Sequence, residues 1–318
     1  MKAKDKRVTY VDQVSGLLIM YMILYHCFQW SELNYVNRTL WMLPLSFFMF
    51  WFFYKSGMFY RDKTCKEILF GGGKKLMVPY VVYSMIGYVL KCVQLLVGGD
   101  HDWVHYVLSP VKQIVLEGAV SGNMALWFLP SLLAVQALYA LLRRRLGDVW
   151  IVIAGLLVAY MLYAVGFHKP LYVANIPLGL SVYGFGHLMR NVQYEKSVFA
   201  LTGIAYLAIM LMMRSTIDFR TNMLHGGNYP VAVLFALSGC VVINNLFKRM
   251  PFRISVLEWI GKRSMNFYVM HWLVLLSCSI IFPYTGWAML AVMVVACVVV
   301  LPMADRILLM VSKGSVVK

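Results

Sequence analysis

The chain has 318 residues, of which 61% are hydrophobic and only 13% are charged, and its mean hydropathy is +0.72. Soluble domains carry about 25% charged residues, so this composition excludes a soluble protein and indicates one whose solvent is lipid. The net charge of +16 would favour a nucleic-acid partner in a soluble protein, but here the basic residues lie between apolar runs, where they orient a membrane protein, and no nucleic-acid partner is expected.

Ten apolar runs follow one another along the chain, most of them long enough to cross a bilayer. They are Val14–Trp30, Leu40–Tyr60, Leu76–Val97, Leu126–Leu142, Val149–Phe167, Leu171–Met189, Val198–Met213, Tyr229–Phe247, Met265–Phe282 and Trp287–Ala304. Lipid admits only helices or closed barrels, and these runs lack the alternation that barrel strands show. The sequence therefore predicts an all-α, polytopic integral membrane protein of about ten transmembrane helices, forming a single membrane-embedded domain over residues 1–318.

Most of the basic residues fall in alternate loops of this arrangement. One predicted side holds the start of the chain, its end and the loops with Arg61, Lys63, Lys74, Lys75, Arg143, Arg144, Arg145, Arg190, Lys196, Lys248, Arg249, Arg253, Lys262 and Arg263. Loops with an excess of Lys and Arg stay in the cytoplasm. Both termini are therefore predicted to be cytoplasmic.

The first run contains an ionisable side chain, His26, within a stretch of 19 residues that has no Asp, Glu, Lys or Arg. His26 lies about 20 Å from the cytoplasmic end of its helix, and His271 about 10 Å into the ninth. Ionisable groups at such depths are costly and usually face the bundle interior. Two neutral imidazoles could line one cavity, or they could only hydrogen-bond neighbouring helices without any chemistry.

Two of the loops on the opposite side are longer, Gly98–Ala125 and Arg214–Asn228. His101 and His105 in the first have the i, i+4 spacing of metal ligands on a helix. No further ligand set accompanies them, so the first loop is predicted to be solvated and no metal is expected.

A glycine-rich basic segment, Gly71–Lys75, comes just before the third run. Backbone N–H groups and lysines in such a segment could hold phosphates. The alternative is a flexible loop whose charges only fix the orientation of the protein.

Four stretches resemble motifs of one known family, the acyltransferase type 3 family of polytopic membrane proteins. These are the opening helix Tyr10–Gly16 with Leu24–His26, the Ser-Gly motif Ser56–Phe59, the basic and Pro-Tyr segment Lys74–Tyr80, and the late Gly-Lys-x-Ser…Tyr…His motif Trp259–His271. Leu126–Pro130 is a fifth, weaker match. They occur in the family's order along nearly the whole chain.

The resemblance implies an enzyme of about ten helices that passes an acyl group, commonly acetyl and sometimes succinyl, from cytoplasmic acyl-CoA to a hydroxyl, usually on a glycan. His26 would then be the catalytic histidine, since an imidazole titrates near neutral pH and can take the proton of the attacking hydroxyl. His271 in the late motif is the second catalytic candidate. Arg61, Lys74 and Lys75 are predicted to bind the phosphates of CoA.

The chain departs from the family pattern at Ser15. The family usually has Arg or Lys eleven residues before the histidine, where that charge is thought to help bind the donor. Lys55, just before Ser56 and Gly57, could supply the charge from a neighbouring helix. Alternatively, Lys55 extends to the cytoplasmic headgroups.

The sequence thus favours an O-acyltransferase of the bacterial cytoplasmic (inner) membrane, acting on a surface or lipid-linked saccharide. Its expected partners are acyl-CoA, the saccharide acceptor and membrane lipid. The sequence leaves open whether the protein forms a homo-oligomer. A transporter or flippase with proton-relay histidines is the alternative from another class. A non-catalytic family member in glycan assembly is the third interpretation, favoured by Ser15.

Overall fold

The computed structural model describes residues 8–40, 42–99, 103–193 and 195–314. Fourteen α-helices make up most of this part of the chain. They are α1 Thr9–Trp30, α2 Phe48–Met58, α3 Cys65–Glu67, α4 Gly73–Val97, α5 Trp103–Leu108, α6 Pro110–Glu117, α7 Phe128–Arg143, α8 Asp148–Ala164, α9 Leu171–Met189, α10 Lys196–Met213, α11 Tyr229–Arg249, α12 Ser255–Lys262, α13 Ser264–Ile281 and α14 Gly286–Gly314. One antiparallel hairpin, β1 Thr216–Asp218 with β2 Met223–His225, lies between α10 and α11.

Six helical stretches are long and apolar enough to cross a membrane. They are Thr9–Trp30, Cys65–Val97, Pro110–Arg143, Tyr229–Arg249, Ser264–Ile281 and Gly286–Leu308. Asp148–Ala164 and Lys196–Met212 are shorter apolar helices. The structure agrees with the predicted all-α membrane protein. Each of the ten apolar runs contains a helix, but the number of crossings and the side of the termini stay predictions.

Glycines allow the helices around α1 and α2 to pack backbone against backbone. A methyl group on Gly16 of α1 would overlap the carbonyl oxygen of Leu257 in α12, and one on Gly261 would overlap that of Asp12. Gly57 of α2 meets Tyr183 of α9 in the same way. Small residues are the usual means of close helix packing in lipid. These contacts fix α1 and α2, which carry Ser15, His26 and Lys55.

The segment Gly98–Ala125 differs from its prediction as a solvated loop. It contains α5, α6 and the start of a 3-10 helix at Ser121–Trp127, and its Tyr106 and Val120 are buried. Leu108 and Val111 of the same segment are exposed, so the segment is helical and packs on the bundle at only some of its positions. His101 lies outside the described residues, so the spacing of the two histidines is not tested.

The glycine-rich segment Gly71–Lys75 is helical, and the flexible-loop interpretation of it is wrong. Thr64 and Glu67 form a capping box at the start of α3, so the helix begins at Cys65, six residues before Gly71. A π-helical turn, Ile68–Gly72, then joins α3 to α4. The backbone N–H groups of Gly71 and Gly72 are therefore used within the helix rather than presented to a phosphate.

Candidate active site

His26 of α1 and His271 of α13 lie against each other in the bundle. Their rings stack with centroids 5.3 Å apart and planes at 24°. His271 is completely buried, whereas His26 keeps part of its surface exposed. The structure therefore brings together the two histidines that the sequence singled out.

The hydrogen bonds of the two rings define which nitrogen can act as a base. His271 Nδ1 lies 2.6 Å from the carbonyl oxygen of Tyr268, which can only accept, so Nδ1 carries the proton and Nε2 has a lone pair. That Nε2 is buried and has no hydrogen-bond partner. His26 Nδ1 lies 2.7 Å from Gln29 Oε1, and the same argument leaves its Nε2 as a proton acceptor.

Aromatic rings surround the two imidazoles. Trp272 meets His26 edge to face at 5.0 Å, and Trp30 meets Trp272 in the same way at 5.5 Å. Tyr25 contacts His26 from another side at 5.5 Å. Such packing restricts the rotamers of His26 and limits water around it.

A cavity of about 530 Å³ lies between α1, α2, α4, α7 and α13. Its exposed end carries basic side chains, among them Arg61, Lys63 and Lys75, and its buried end is formed by Phe128 and Tyr268. Tyr268 lines the cavity, and its carbonyl oxygen accepts the hydrogen bond of His271 Nδ1. The cavity therefore leads from a basic surface to the residue that supports the imidazole pair.

Lys55 lines this cavity and turns inward to α1. Its Nζ donates a hydrogen bond to Ser15 Oγ at 2.7 Å, and Ser15 Oγ donates to the carbonyl of Val11 at 2.8 Å. The ammonium also lies 5.5 Å from the centroid of the Trp51 ring, a cation–π distance. The side chain is thus placed beside Ser15 rather than extended to headgroups, while its role in donor binding stays a prediction.

Two of the three predicted phosphate-binding residues line the cavity, and their role in binding stays a prediction. Arg61 and Lys75 line the exposed end of the cavity, but Lys74 is exposed and is not part of the lining. Lys74 and Lys75 are consecutive on a helix, where neighbours point about 100° apart. Lys63, which sequence reasoning used only for orientation, takes a place in the lining.

Arg220 is a residue near the site that sequence reasoning missed. It lies in the hairpin turn, and its Nη2 donates to Glu117 Oε2 at 2.9 Å, while Lys169 Nζ lies 2.7 Å from Glu117 Oε1. Burial lowers the pKa of the Arg220 guanidinium, although the carboxylates of Glu117 and Asp218 oppose this. The preceding residue, Phe219, stacks on Phe53, which meets the cavity-lining Phe128 at 5.0 Å. Nothing in the local sequence distinguishes this arginine from other loop residues.

His187 belongs to a separate polar network and not to the imidazole pair. Its Nδ1 lies 2.9 Å from Asp148 Oδ2 and 2.9 Å from the hydroxyl of Tyr139. Arg143 Nε donates to the other oxygen of Asp148 at 3.0 Å. The network links α7, α8 and α9.

Comparison with known proteins identifies the family. A family model described as an acyltransferase domain matches residues 8–305, nearly the whole chain. No curated protein and no solved structure matches the chain. The match confirms the resemblance drawn from the sequence motifs, and the chain belongs to the acyltransferase type 3 family of membrane acyltransferases.

Proposed function

We propose that the protein is an O-acyltransferase of the bacterial cytoplasmic membrane that moves an acyl group, preferentially acetyl, from cytoplasmic acyl-CoA to a hydroxyl of a surface or lipid-linked saccharide. Ten helices cross the membrane, and both termini lie in the cytoplasm. The observation that carries this proposal is the stacked His26–His271 pair, joined through Tyr268 to a cavity with a basic exposed end.

The donor enters at the exposed end of the cavity. CoA is an anion with several phosphate oxygens, and Arg61, Lys63 and Lys75 offer charge-assisted hydrogen bonds there. A volume of about 530 Å³ is in the range of ligand pockets, about 300–1,000 Å³. These cations belong to the loops richest in Lys and Arg, which supports donor entry from the cytoplasm.

The acceptor hydroxyl reacts at His26. Nε2 takes the hydroxyl proton as the oxygen attacks the thioester carbonyl. The C–S bond then breaks, and the CoA thiolate leaves with the proton that His26 returns. Gln29 holds His26 in the tautomer that this step needs, and His271 orients the acceptor beside it.

Purified protein in lipid nanodiscs tests the proposal. Acetyl-CoA and succinyl-CoA are supplied with a lipid-linked saccharide pool, and released CoA thiol and acylated product are both measured. We expect CoA release that depends on His26. A protein that releases no CoA with either donor, and instead carries a His26-dependent proton flux, would establish the transporter alternative. Absence of both activities would establish the non-catalytic one.

A second experiment, in cells, tests the identity of the acceptor. Mass spectrometry of surface glycans from cells with and without the protein should show one acyl mass difference on a saccharide. A strain expressing His26→Ala at equal level is the matched control. Unchanged glycans in all strains would contradict a saccharide acceptor while leaving acyl transfer itself to the nanodisc assay.

A further inference from the structure

The hairpin between α10 and α11 inserts its turn into the aromatic core. Phe219 is buried, stacks on Phe53 at 4.7 Å and meets Phe50 edge to face at 4.7 Å. Trp127 lies parallel to it at 6.4 Å. A loop residue is thereby anchored against α2, and the next residue, Arg220, is carried into the bundle with it.

The turn is held rigidly by side-chain hydrogen bonds. Asp218 accepts from the backbone N–H of Arg220 at 3.0 Å and from the Thr221 hydroxyl at 2.8 Å. Asn222, with a positive φ of 58°, donates to the carbonyl of Ala159 at 2.8 Å. The position of the Arg220 backbone is therefore set by the fold before any substrate binds.

One nitrogen of the Arg220 guanidinium is hydrogen-bonded, and another is a buried donor without a partner. Nη2 bonds Glu117, whereas Nε is buried and has no hydrogen-bond partner. Phe53, on which Phe219 stacks, meets Phe128 at 5.0 Å, and Phe128 meets Tyr268 at 5.6 Å. Phe128 and Tyr268 line the cavity, so the turn that carries Arg220 packs against the aromatic side chains at its buried end. A buried N–H without a partner is costly, and a substrate oxygen at that point would satisfy it.

A purely structural ion pair does not require this arginine. Glu117 already has Lys169 on its other oxygen, so the carboxylate keeps a cation if Arg220 is lost. A lysine at position 220 could balance the charge of Glu117 equally well. A guanidinium bonds Glu117 through Nη2 and keeps Nε–H for a ligand, whereas lysine has a methylene group at the Nε position.

We infer that Arg220 is a further catalytic residue, whose Nε–H donates to the acyl carbonyl oxygen as that oxygen becomes negatively charged. This inference rests on the proposed acyl transfer. The acceptor oxygen bonds the carbonyl carbon, its proton passes to His26 Nε2, and the carbonyl π electrons move to the oxygen. When that oxyanion re-forms the carbonyl, the C–S bond breaks, and the CoA sulfur leaves with the electron pair and takes the proton from His26. Donors aimed at a developing oxyanion in a dry site accelerate acyl transfer strongly.

Arg220→Met, which leaves no N–H donor at this position, tests the inference in nanodiscs, with Lys169→Gln as the matched control on the same carboxylate. We expect Arg220→Met to lower kcat by about 10²-fold, the usual loss for one oxyanion donor. Binding of CoA, which has no acyl carbonyl, should be unchanged by calorimetry, and Lys169→Gln should keep near wild-type kcat. A full kcat in Arg220→Met would overturn the inference. So would a loss confined to the acceptor KM, since that would make Arg220 an acceptor-binding residue.

Arg220→Lys covers the case in which the methionine variant does not fold. Lysine preserves the charge opposite Glu117 but has no N–H at the Nε position, so we expect kcat to fall by at least about 10-fold. A fully active lysine variant would overturn the inference. A wild-type protein that releases no CoA would contradict the proposed function itself, whereas an active wild type matched by Arg220→Met would contradict only the role of Arg220.

Discussion

The histidines of this bundle lie in two contrasting surroundings. His187 is bonded to the carboxylate of Asp148, which Arg143 balances, so the charges of this network are paired with one another. His26 and His271 are bonded to an amide and a carbonyl oxygen and stack on each other. The Nε2 atoms of His187 and His271 are both buried without a partner, so a free Nε2 does not distinguish the two regions. Location does, because His271 follows the cavity-lining Tyr268 by one helical turn, whereas His187 is not part of the cavity lining.

The largest difference between the two regions should appear in activity. His26→Ala removes the proposed base and should lower acyl transfer by at least about 10²-fold, measured as CoA release per folded molecule. His187→Ala is the matched control, because it removes an imidazole from the other region and should leave that rate near wild type. Near wild-type transfer by His26→Ala, or an equal loss in both variants, would contradict the proposed functional difference between the two regions.

The next effect concerns the donor. Lys55→Ala should weaken CoA binding about tenfold, because it removes a charge-assisted hydrogen bond worth roughly 1.5–3 kcal/mol. Adding Ser15→Arg should restore part of the affinity, since the truncated Lys55 leaves volume beside Ser15 for the new side chain. Calorimetric titration with CoA measures both. Unchanged binding in Lys55→Ala would make Lys55 a structural partner of Ser15 and would strengthen the non-catalytic interpretation.

The stability of the protein should depend more on the His187 network than on the His26–His271 pair. Asp148→Asn breaks the ion pair with Arg143 and should lower the free energy of unfolding by about 1–2 kcal/mol, with activity per folded molecule kept. Thermal unfolding in detergent gives the shift, and His26→Ala is the comparison variant, expected to be the smaller loss. A larger destabilisation by His26→Ala would show that the imidazole pair is the more important structural contact.

The smallest effect separates two neighbouring lysines at the cavity. Lys75→Gln should raise the KM for acyl-CoA about threefold, the effect of one exposed charge worth roughly 0.2–1 kcal/mol, with kcat unchanged. Lys74→Gln, one residue away but outside the cavity lining, should leave KM unchanged. Equal effects of the two substitutions would mean that both lysines act only through the general positive charge of this face.

Much of the helical fold could be predicted because each membrane helix satisfies its own backbone. An apolar run in lipid has no alternative to a helix, so the runs beginning at Val14 and Tyr229 could be assigned without knowing their neighbours. The segments outside the runs were predicted less well. The loop Gly98–Ala125 and the segment Gly71–Lys75 carry Gly and polar residues typical of loops, but capping at Thr64 and burial of Tyr106 make them helical.

The sequence by itself determined the class of the protein, its family and the importance of His26, because an ionisable group within an uncharged run is conspicuous at any sequence position. Only the tertiary structure decided which residues meet His26. The stacking of His271 on His26, the bond from Lys55 to Ser15 and the stacking of Phe219, next to Arg220, on Phe53 join residues that are 245, 40 and 166 positions apart. Such contacts depend on how helices pack through glycines such as Gly16 and Gly57 and on where Phe219 anchors a distant hairpin, and local spacing carries no information about either.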